Sequence, residues 1–269
     1  MKINDWLTSA TSTLEAAGVG TARLDCLVLL EDVLQRERAW LLAYPETLLE
    51  SNSIRKLNDF LNRREEHEPL AYIRGKTEFF GRDFYIDSRV LEPRPESETM
   101  IHQLKRLRLP ISTRIADVGS GSGALGITAT LEMPRTQADF YDIDPATLDV
   151  AERNAKAHGV RSRYFMSDLL QRAPHAYDVI LANLPYVPVR YQINQAARHE
   201  PNVAIFGGGD GLAVYRRLFG QLATHYVKPR YVLTESLPFQ HAGLQLMAES
   251  AGFRFHRHED FVQVFETPS

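Results

Sequence analysis

Through the first 68 positions, apolar residues recur three and four apart. Trp6, Leu7 and Leu14 form one set, Leu24, Leu27, Val28, Leu30 and Leu34 a second, and Leu57, Phe60 and Leu61 a third. That spacing places each set on one helical face, and Gly18 and Gly20 separate the first two helices. The pattern predicts a small helical bundle over 1–68. Between Lys76 and Tyr85 the period changes to two aromatic runs around Gly81 and Arg82, which predicts a hairpin. Leu91-Glu92-Pro93-Arg94-Pro95 then forms a stiff turn, with Glu96, Ser97 and Glu98 opening a helix where carboxylates favour the positive end of its dipole. Positions 69–92 read as hairpin and linker.

From position 113 strand and helix patterns alternate. Strands are expected at RIADV, ADFYDI, SRYFM, YDVILAN and RYVLTES, with a closing pair at FRFHRH and FVQVFE. Helices are expected from about Ser122, after Asp144-Pro145, over GLAVYRRLFGQLATHY, and over FQHAGLQLMAES. Seven strands in this order predict an α/β domain over 93–269, built on a mostly parallel sheet with an antiparallel edge. Ligands of such sheets bind at the carboxyl ends of the strands.

Charge narrows the function. The net charge is −3, and the first 75 residues carry nine Lys and Arg against twelve Asp and Glu, so stable nucleic-acid binding is not expected. Cys26 is alone, which rules out a disulfide framework within the chain and any cysteine-based metal site. His199, His241, His256 and His258 lack metal-ligand spacing, and no metal is expected. The segment MKINDWLTSA has no signal-peptide pattern, and no apolar run approaches about 20 residues. A cytoplasmic protein, away from the membrane, is the expectation.

The candidate chemistry lies at strand ends. RIADV leads into Gly119-Ser120-Gly121-Ser122-Gly123, where glycines let backbone approach a ligand. Gly121, Gly123 and Gly126 also satisfy the dinucleotide spacing, so a nicotinamide cofactor must be weighed. Asp117 favours an adenosyl ligand instead, because a carboxylate there would repel pyrophosphate and welcome a cationic amino-acid tail. Asp142, ending the second strand, suits two ribose hydroxyls. Asp168 suits an adenine amine or a helix cap, and Asp144, before Pro145, suits a cap.

The fourth strand delivers Asn183-Leu184-Pro185-Tyr186 to the same edge. An amide or aniline nitrogen is a poor nucleophile because its lone pair is delocalised, so catalysis needs acceptors that fix its N–H bonds and aim the lone pair. The Asn183 side chain and the Leu184 backbone carbonyl offer two, Pro185 stiffens the loop, and Tyr186 can pack on a planar group. Glutamine and adenine both present such a nitrogen. A third reading is a catalytically silent module that binds a cofactor or docks a protein.

The glycine run from Asp117, with Asp142, Asp168 and the Asn183 tetrapeptide, resembles the amino methyltransferases of the Asn-Pro-Pro-Tyr class. ARLDCLVLLEDVL, EPLAYIRGKTEFFGRDFYIDSRVLEPRPESE and HEPNVAIFGGGDGLAVYRRL extend the resemblance over nearly the whole chain, to the bacterial release-factor glutamine methyltransferases, the HemK family. The resemblance implies a Rossmann-like class I methyltransferase fold. It implies methylation of the side-chain N5 of the glutamine in the Gly-Gly-Gln loop of class 1 peptide chain release factors, with S-adenosylmethionine as donor. By the same resemblance Asn183, Leu184, Pro185 and Tyr186 would hold the glutamine amide, Arg94 and Pro95 would roof it, and the helical region would dock the protein substrate. Asp117, Gly119, Gly121, Gly123, Asp142, Asp168 and Asn183 would bind the cofactor, in a monomeric enzyme.

Two positions depart from the family. Leu184 stands where a proline is usual, giving the form typical of ribosomal-RNA adenine dimethyltransferases, and Glu235-Ser236-Leu237 differs at the fifth strand. Arg94 and Glu96 are expected to pair with each other or with the loop. Phe79, Phe80 and Phe84 are expected to pack the hairpin onto the main domain.

Overall fold

The computed structural model describes residues 1–224 and 227–268, and it divides into two compact units. The first comprises 1–75 with 194–199. Its helices are α1 (Ile3–Ala16), α2 (Ala22–Leu34), α3 (Arg38–Ala43), α4 (Ser51–Glu65) and α5 (Leu70–Arg74). Trp6, Leu7, Leu14, Leu27, Leu30 and Leu57 meet in one apolar core, which is the bundle the spacing predicts. Leu24 instead faces outward, at 48% exposure. Arg64 and Asp25 form a largely buried ion pair at 2.7 Å inside this unit.

The second unit comprises 76–193 with 200–269. It begins with β1 (Lys76–Phe79) and β2 (Arg82–Tyr85), an antiparallel pair. The reversal falls on Phe80 and Gly81, one residue earlier than the sequence suggests, and both have positive φ, 53° and 70°. That geometry matches the right-handed twist of a two-residue hairpin. Phe79 and Phe84 are buried in the main core as expected, in an edge-on pair 6.2 Å apart. Phe80 is only partly buried, and its N–H donates to Glu98 Oε1 at 2.7 Å.

After the 3-10 turn Pro95–Ser97 comes α6 (Glu98–Lys105), followed by β3 (Arg114–Val118), α7 (Ala124–Glu132), β4 (Gln137–Asp142), α8 (Pro145–Ala157), β5 (Tyr164–Met166) and β6 (Val179–Ala182). The chain continues through α9 (Asn202–Ile205), α10 (Ala213–Thr224), β7 (Tyr231–Glu235), α11 (His241–Ser250), β8 (Arg254–Glu259) and β9 (Val262–Glu266). His225 and Tyr226, the last two residues of the expected helix GLAVYRRLFGQLATHY, lie outside the described residues. The sheet runs β5-β4-β3-β6-β7-β9-β8, parallel through β7, with β9 antiparallel to both neighbours. One apolar core lies on each face.

The strand order reverses between β3 and β6. From β3 the chain steps outward to β4 and β5, then returns to β6 on the other side. Helices therefore leave adjacent strands in opposite directions, opening a crevice at their carboxyl ends. The glycine run follows β3 and Asn183 follows β6.

Candidate functional site

A cavity of about 200 Å³ occupies that crevice. Of the residues singled out from sequence, Gly119, Gly121, Asp142, Asp168, Asn183, Leu184, Pro185 and Arg94 line it. Asp117, Gly123, Pro95 and Tyr186 lie outside the lining.

The glycine loop is pinned to its neighbouring strand. Gly119 and Ser120 N–H groups both donate to the Tyr141 carbonyl, at 2.8 and 3.0 Å, and Gly121 N–H donates to Asp142 Oδ2 at 3.1 Å. Gly119, Gly121 and Gly123 all have positive φ, which a side chain would strain. At Gly119 a Cβ would also sit 2.8 Å from Leu184 Cδ2, so the two loops touch through van der Waals surface. Ser120 Oγ is buried on the cavity wall without a hydrogen-bond partner among the described residues. An unpaired polar atom in that position suits a polar ligand.

Asp117 stands behind the loop. Its Oδ2 accepts from Gly126 N–H, at the start of α7, at 2.8 Å. Burial pushes its pKa up to about 7, against that hydrogen bond and with a further push from Asp142. Gly126 is obligatory here, since a Cβ would lie 2.6 Å from Phe140 and 2.9 Å from Asp117 Oδ2. Asp142 is also raised by burial, opposed by N–H groups of Asp144, Gly121 and Ile143. Asp144 caps α8 as expected, accepting from Ala146 N–H at 2.9 Å. Asp168 is no cap: its side chain pairs with Arg217, which also lines the cavity, while Ser167 Oγ accepts from Arg172 N–H.

Asn183 leaves β6 half-buried, and its Nδ2 donates to Ser97 Oγ at 2.9 Å. Leu184 is buried among the apolar residues on one face of the sheet. Its N–H donates to the hydroxyl of Tyr215 at 3.3 Å, and that hydroxyl lies 2.9 Å from the Ala182 carbonyl and 2.6 Å from the Glu235 carbonyl. Tyr186 points beneath the cavity, donating its hydroxyl to Glu235 Oε1 at 2.9 Å. Burial and the Glu235 charge raise the Tyr186 hydroxyl, so it remains a donor.

Glycines of the segment 207–211 close on this loop from below. A Cβ at Gly207 would lie 2.3 Å from the Pro185 carbonyl oxygen, and one at Gly211 2.0 Å from that of Tyr186. Gln240 Nε2 donates to the Tyr186 and Asp210 carbonyls, both at 2.8 Å. The stiffness that Pro185 suggests is thus built largely by other elements.

Arg94 pairs with Glu200 and stands 3.6 Å from Glu92, in place of the expected partner Glu96, which is exposed. Glu200 is the stronger attractor because it is buried and accepts from Glu92 N–H at 3.3 Å. Burial raises its carboxyl, and Arg94 works against that rise.

Ser97, Glu200, Tyr215, Arg217, Glu235 and Gln240 were not recognisable as site residues by local motif. Only Glu235, an acid ending an apolar strand, carried a signal. Among the described residues there is no cluster of three or more His, Cys, Asp or Glu side chains able to hold a metal. Nor is any helix there long and apolar enough to cross a membrane.

Comparison with known proteins gives family matches over two stretches of the chain. The family described as "PrmC N-terminal domain" matches residues 5–75, and "Methyltransferase small domain" matches 95–201. A release factor glutamine methyltransferase from Coxiella burnetii is 35% identical over 237 residues, covering 87% of this chain and 86% of the relative. Another, from Deinococcus radiodurans, is 32% identical over 257 residues, covering 94% and 92%. A methyltransferase structure from Pyrococcus furiosus superposes with TM-score 0.51 at 16% identity, over 82% of this chain and all 100% of that one. A ribosomal protein L11 methylase from Lactobacillus delbrueckii gives TM-score 0.50 at 17% identity, over 68% and 84%. These two structures bear on the fold alone.

Proposed function

The chain belongs to the release factor glutamine methyltransferase family, and from that premise we propose how its cavity works: it transfers a methyl group from S-adenosylmethionine to the side-chain N5 of the Gly-Gly-Gln glutamine of class 1 release factors. The observation that carries this reading is the placement of Asn183 and Leu184 beside the glycine loop, on the wall of one cavity. A cofactor site and an amide clamp share the switch point of the sheet.

The cavity suits the cofactor. Positive-φ glycines keep side chains off the loop, Ser120 Oγ lacks a partner among the described residues, and Asp142 and Asp168 place carboxylates on the wall. Asp142 would take the ribose hydroxyls and Asp168 the adenine amine. Asp117, behind the loop, supports it through Gly126 and adds its field. When bound, S-adenosylmethionine supplies a methyl group activated by its sulfonium.

The chain's own residues then handle a weak nucleophile. Asn183 Oδ1 and the Leu184 carbonyl accept the two N–H bonds of the glutamine amide and turn its nitrogen toward the donor. The nitrogen would gain the methyl group as the bond from that carbon to the donor sulfur breaks, and would lose one N–H proton to solvent. Apolar walls from Phe79, Val90, Leu91 and Leu125 exclude water from the step. Arg94, held by Glu200, borders the same space and would guide the incoming loop. No strong base is needed, so catalysis is positioning together with acceptors set in advance.

The helical unit would dock the release factor, and the enzyme would act as a cytoplasmic monomer without stable nucleic-acid binding. Leu48, 71% exposed on that unit, offers a check: Leu48→Asp should raise KM for the release factor and leave S-adenosylmethionine affinity unchanged. The deciding experiment uses labelled S-adenosylmethionine with purified release factor, and with the same factor carrying Ala at its loop glutamine. Label is expected on the first alone. Label that persists on the second, or that enters RNA instead, defeats the glutamine assignment.

A further inference from the structure

A side-chain amide clips one wall of the cavity from outside. Gln221, in α10, accepts from the Leu170 N–H through Oε1 at 2.9 Å and donates through Nε2 to the Asp168 carbonyl at 3.2 Å. The two contacts straddle Leu169, which is 7% exposed and lines the cavity beside Asp168. Arg217, one turn earlier on the same helix, pairs with the Asp168 carboxylate. Helix α10 therefore grips Asp168 by its backbone and by its side chain.

Leu169 is the reason that such a grip is needed. Its φ is 55°, in the left-handed region that a leucine enters only against the crowding of its own Cβ. Without outside support the peptide would relax out of that region, and the Asp168 carboxylate would turn with it. Within the loop the Asp168 carbonyl takes a long contact from Gln171 N–H, at 3.3 Å. Gln221 adds a second donor to that carbonyl and an acceptor on the far side of the strained residue. The sense of its amide is fixed by the partners, since a backbone N–H only donates and a carbonyl only accepts.

We propose that Gln221 is a positioning residue for base recognition: by holding Leu169 in the left-handed conformation, it sets the Asp168 carboxylate against the exocyclic amine of the cofactor's adenine. The proposal rests on the S-adenosylmethionine reading of the cavity and extends it to a residue that stands outside the lining. Gln221 need not touch the cofactor.

The test compares full-length wild type with Gln221→Met, whose side chain is of similar length and lacks both amide groups. Calorimetry gives the affinities for S-adenosylhomocysteine and for S-inosylhomocysteine, in which a carbonyl replaces the amine and turns an acceptor toward Asp168. Wild type is expected to prefer the adenosyl ligand about 100-fold. Gln221→Met should weaken that ligand about tenfold and leave the inosyl ligand within about threefold, so the preference narrows to about tenfold. At saturating S-adenosylmethionine, kcat for transfer to the release factor should stay within about threefold, because the Asn183 clamp is untouched. A merely structural role would weaken both ligands alike. An unchanged preference in Gln221→Met therefore overturns the proposal, and so does wild type that binds the two ligands equally. Should Gln221→Met fail to fold, Gln221→Glu, which keeps an acceptor for Leu170 N–H and loses the donor to the Asp168 carbonyl, decides by the same ratio. Wild type that binds neither ligand defeats the underlying cofactor reading, a result distinct from an unchanged preference.

Discussion

Asn154, buried in α8, donates through Nδ2 to the Ser122 carbonyl at 2.9 Å, and so holds the glycine loop from behind. The same side chain pairs with both backbone groups of Tyr85, at 2.8 and 2.9 Å. One amide therefore fastens the hairpin and the cofactor loop to a single helix. Asn154→Ala leaves several buried backbone groups unpaired and should cost about 2–3 kcal/mol of stability. Cofactor affinity should fall about tenfold, read by calorimetry at a temperature where the variant is folded.

Asn183→Ala removes an acceptor used on the substrate amide. We expect kcat for transfer to release factor to fall at least about 100-fold, roughly 3 kcal/mol of transition-state stabilisation. S-adenosylmethionine affinity should change by less than about threefold. Near-normal turnover would remove Asn183 from the clamp.

Leu184→Pro restores the residue usual in the family and tests what the side chain does. Leu184 is buried, 3% exposed, and its N–H bonds Tyr215. A proline keeps the carbonyl but loses that donor and much of the packing. Turnover should stay within about threefold while stability falls by about 1 kcal/mol, a drop of about 2 °C in Tm. Complete loss of transfer would mean that substrate reads the leucine side chain.

Asp117 makes stability depend on pH. Its folded pKa, about 7, lies above the ordinary 3.8, so the folded chain binds the proton more tightly than the unfolded chain does. Stability from this group is present below pH 4 and is lost as pH rises through 7, by up to a few kcal/mol. Asp117→Asn keeps an oxygen for Gly126 N–H and removes the titration. Thermal unfolding without added cofactor should show the variant gaining on wild type between pH 5 and 8. A gap that stays constant across that range would exclude a titrating Asp117.

Much of this fold was legible in the residues. All seven strands of the large sheet were expected from sequence, and the aromatic pairs around Gly81 marked the hairpin. The acidic strand ends were legible for the same reason: a carboxylate closing an apolar run has a local cost that calls for explanation. Tyr215 was hidden because an aromatic at helical spacing reads as core, and it is core; its hydroxyl matters only because β6 and β7 end beside it. Ser97 sits in a short polar stretch that looks like a cap, and Gln240 follows Leu237-Pro238-Phe239 in what reads as a plain helix start. Of the two partners expected for Arg94, Glu96 or the loop, Glu96 stays exposed while Glu92 of the loop lies beside Arg94, and the buried Glu200 arrives only through the fold.

The contact of Leu184 with the space above Gly119 has a further consequence. A glycine in the cofactor loop and a leucine in the clamp fill one volume between them, so position 119 has no room for a side chain while position 184 is leucine. A relative that carries a side chain at the first should compensate with a smaller residue at the second. Substitution at both sites together should then be milder than at position 119 by itself. The two motifs, separate in sequence, would be inherited as a matched pair.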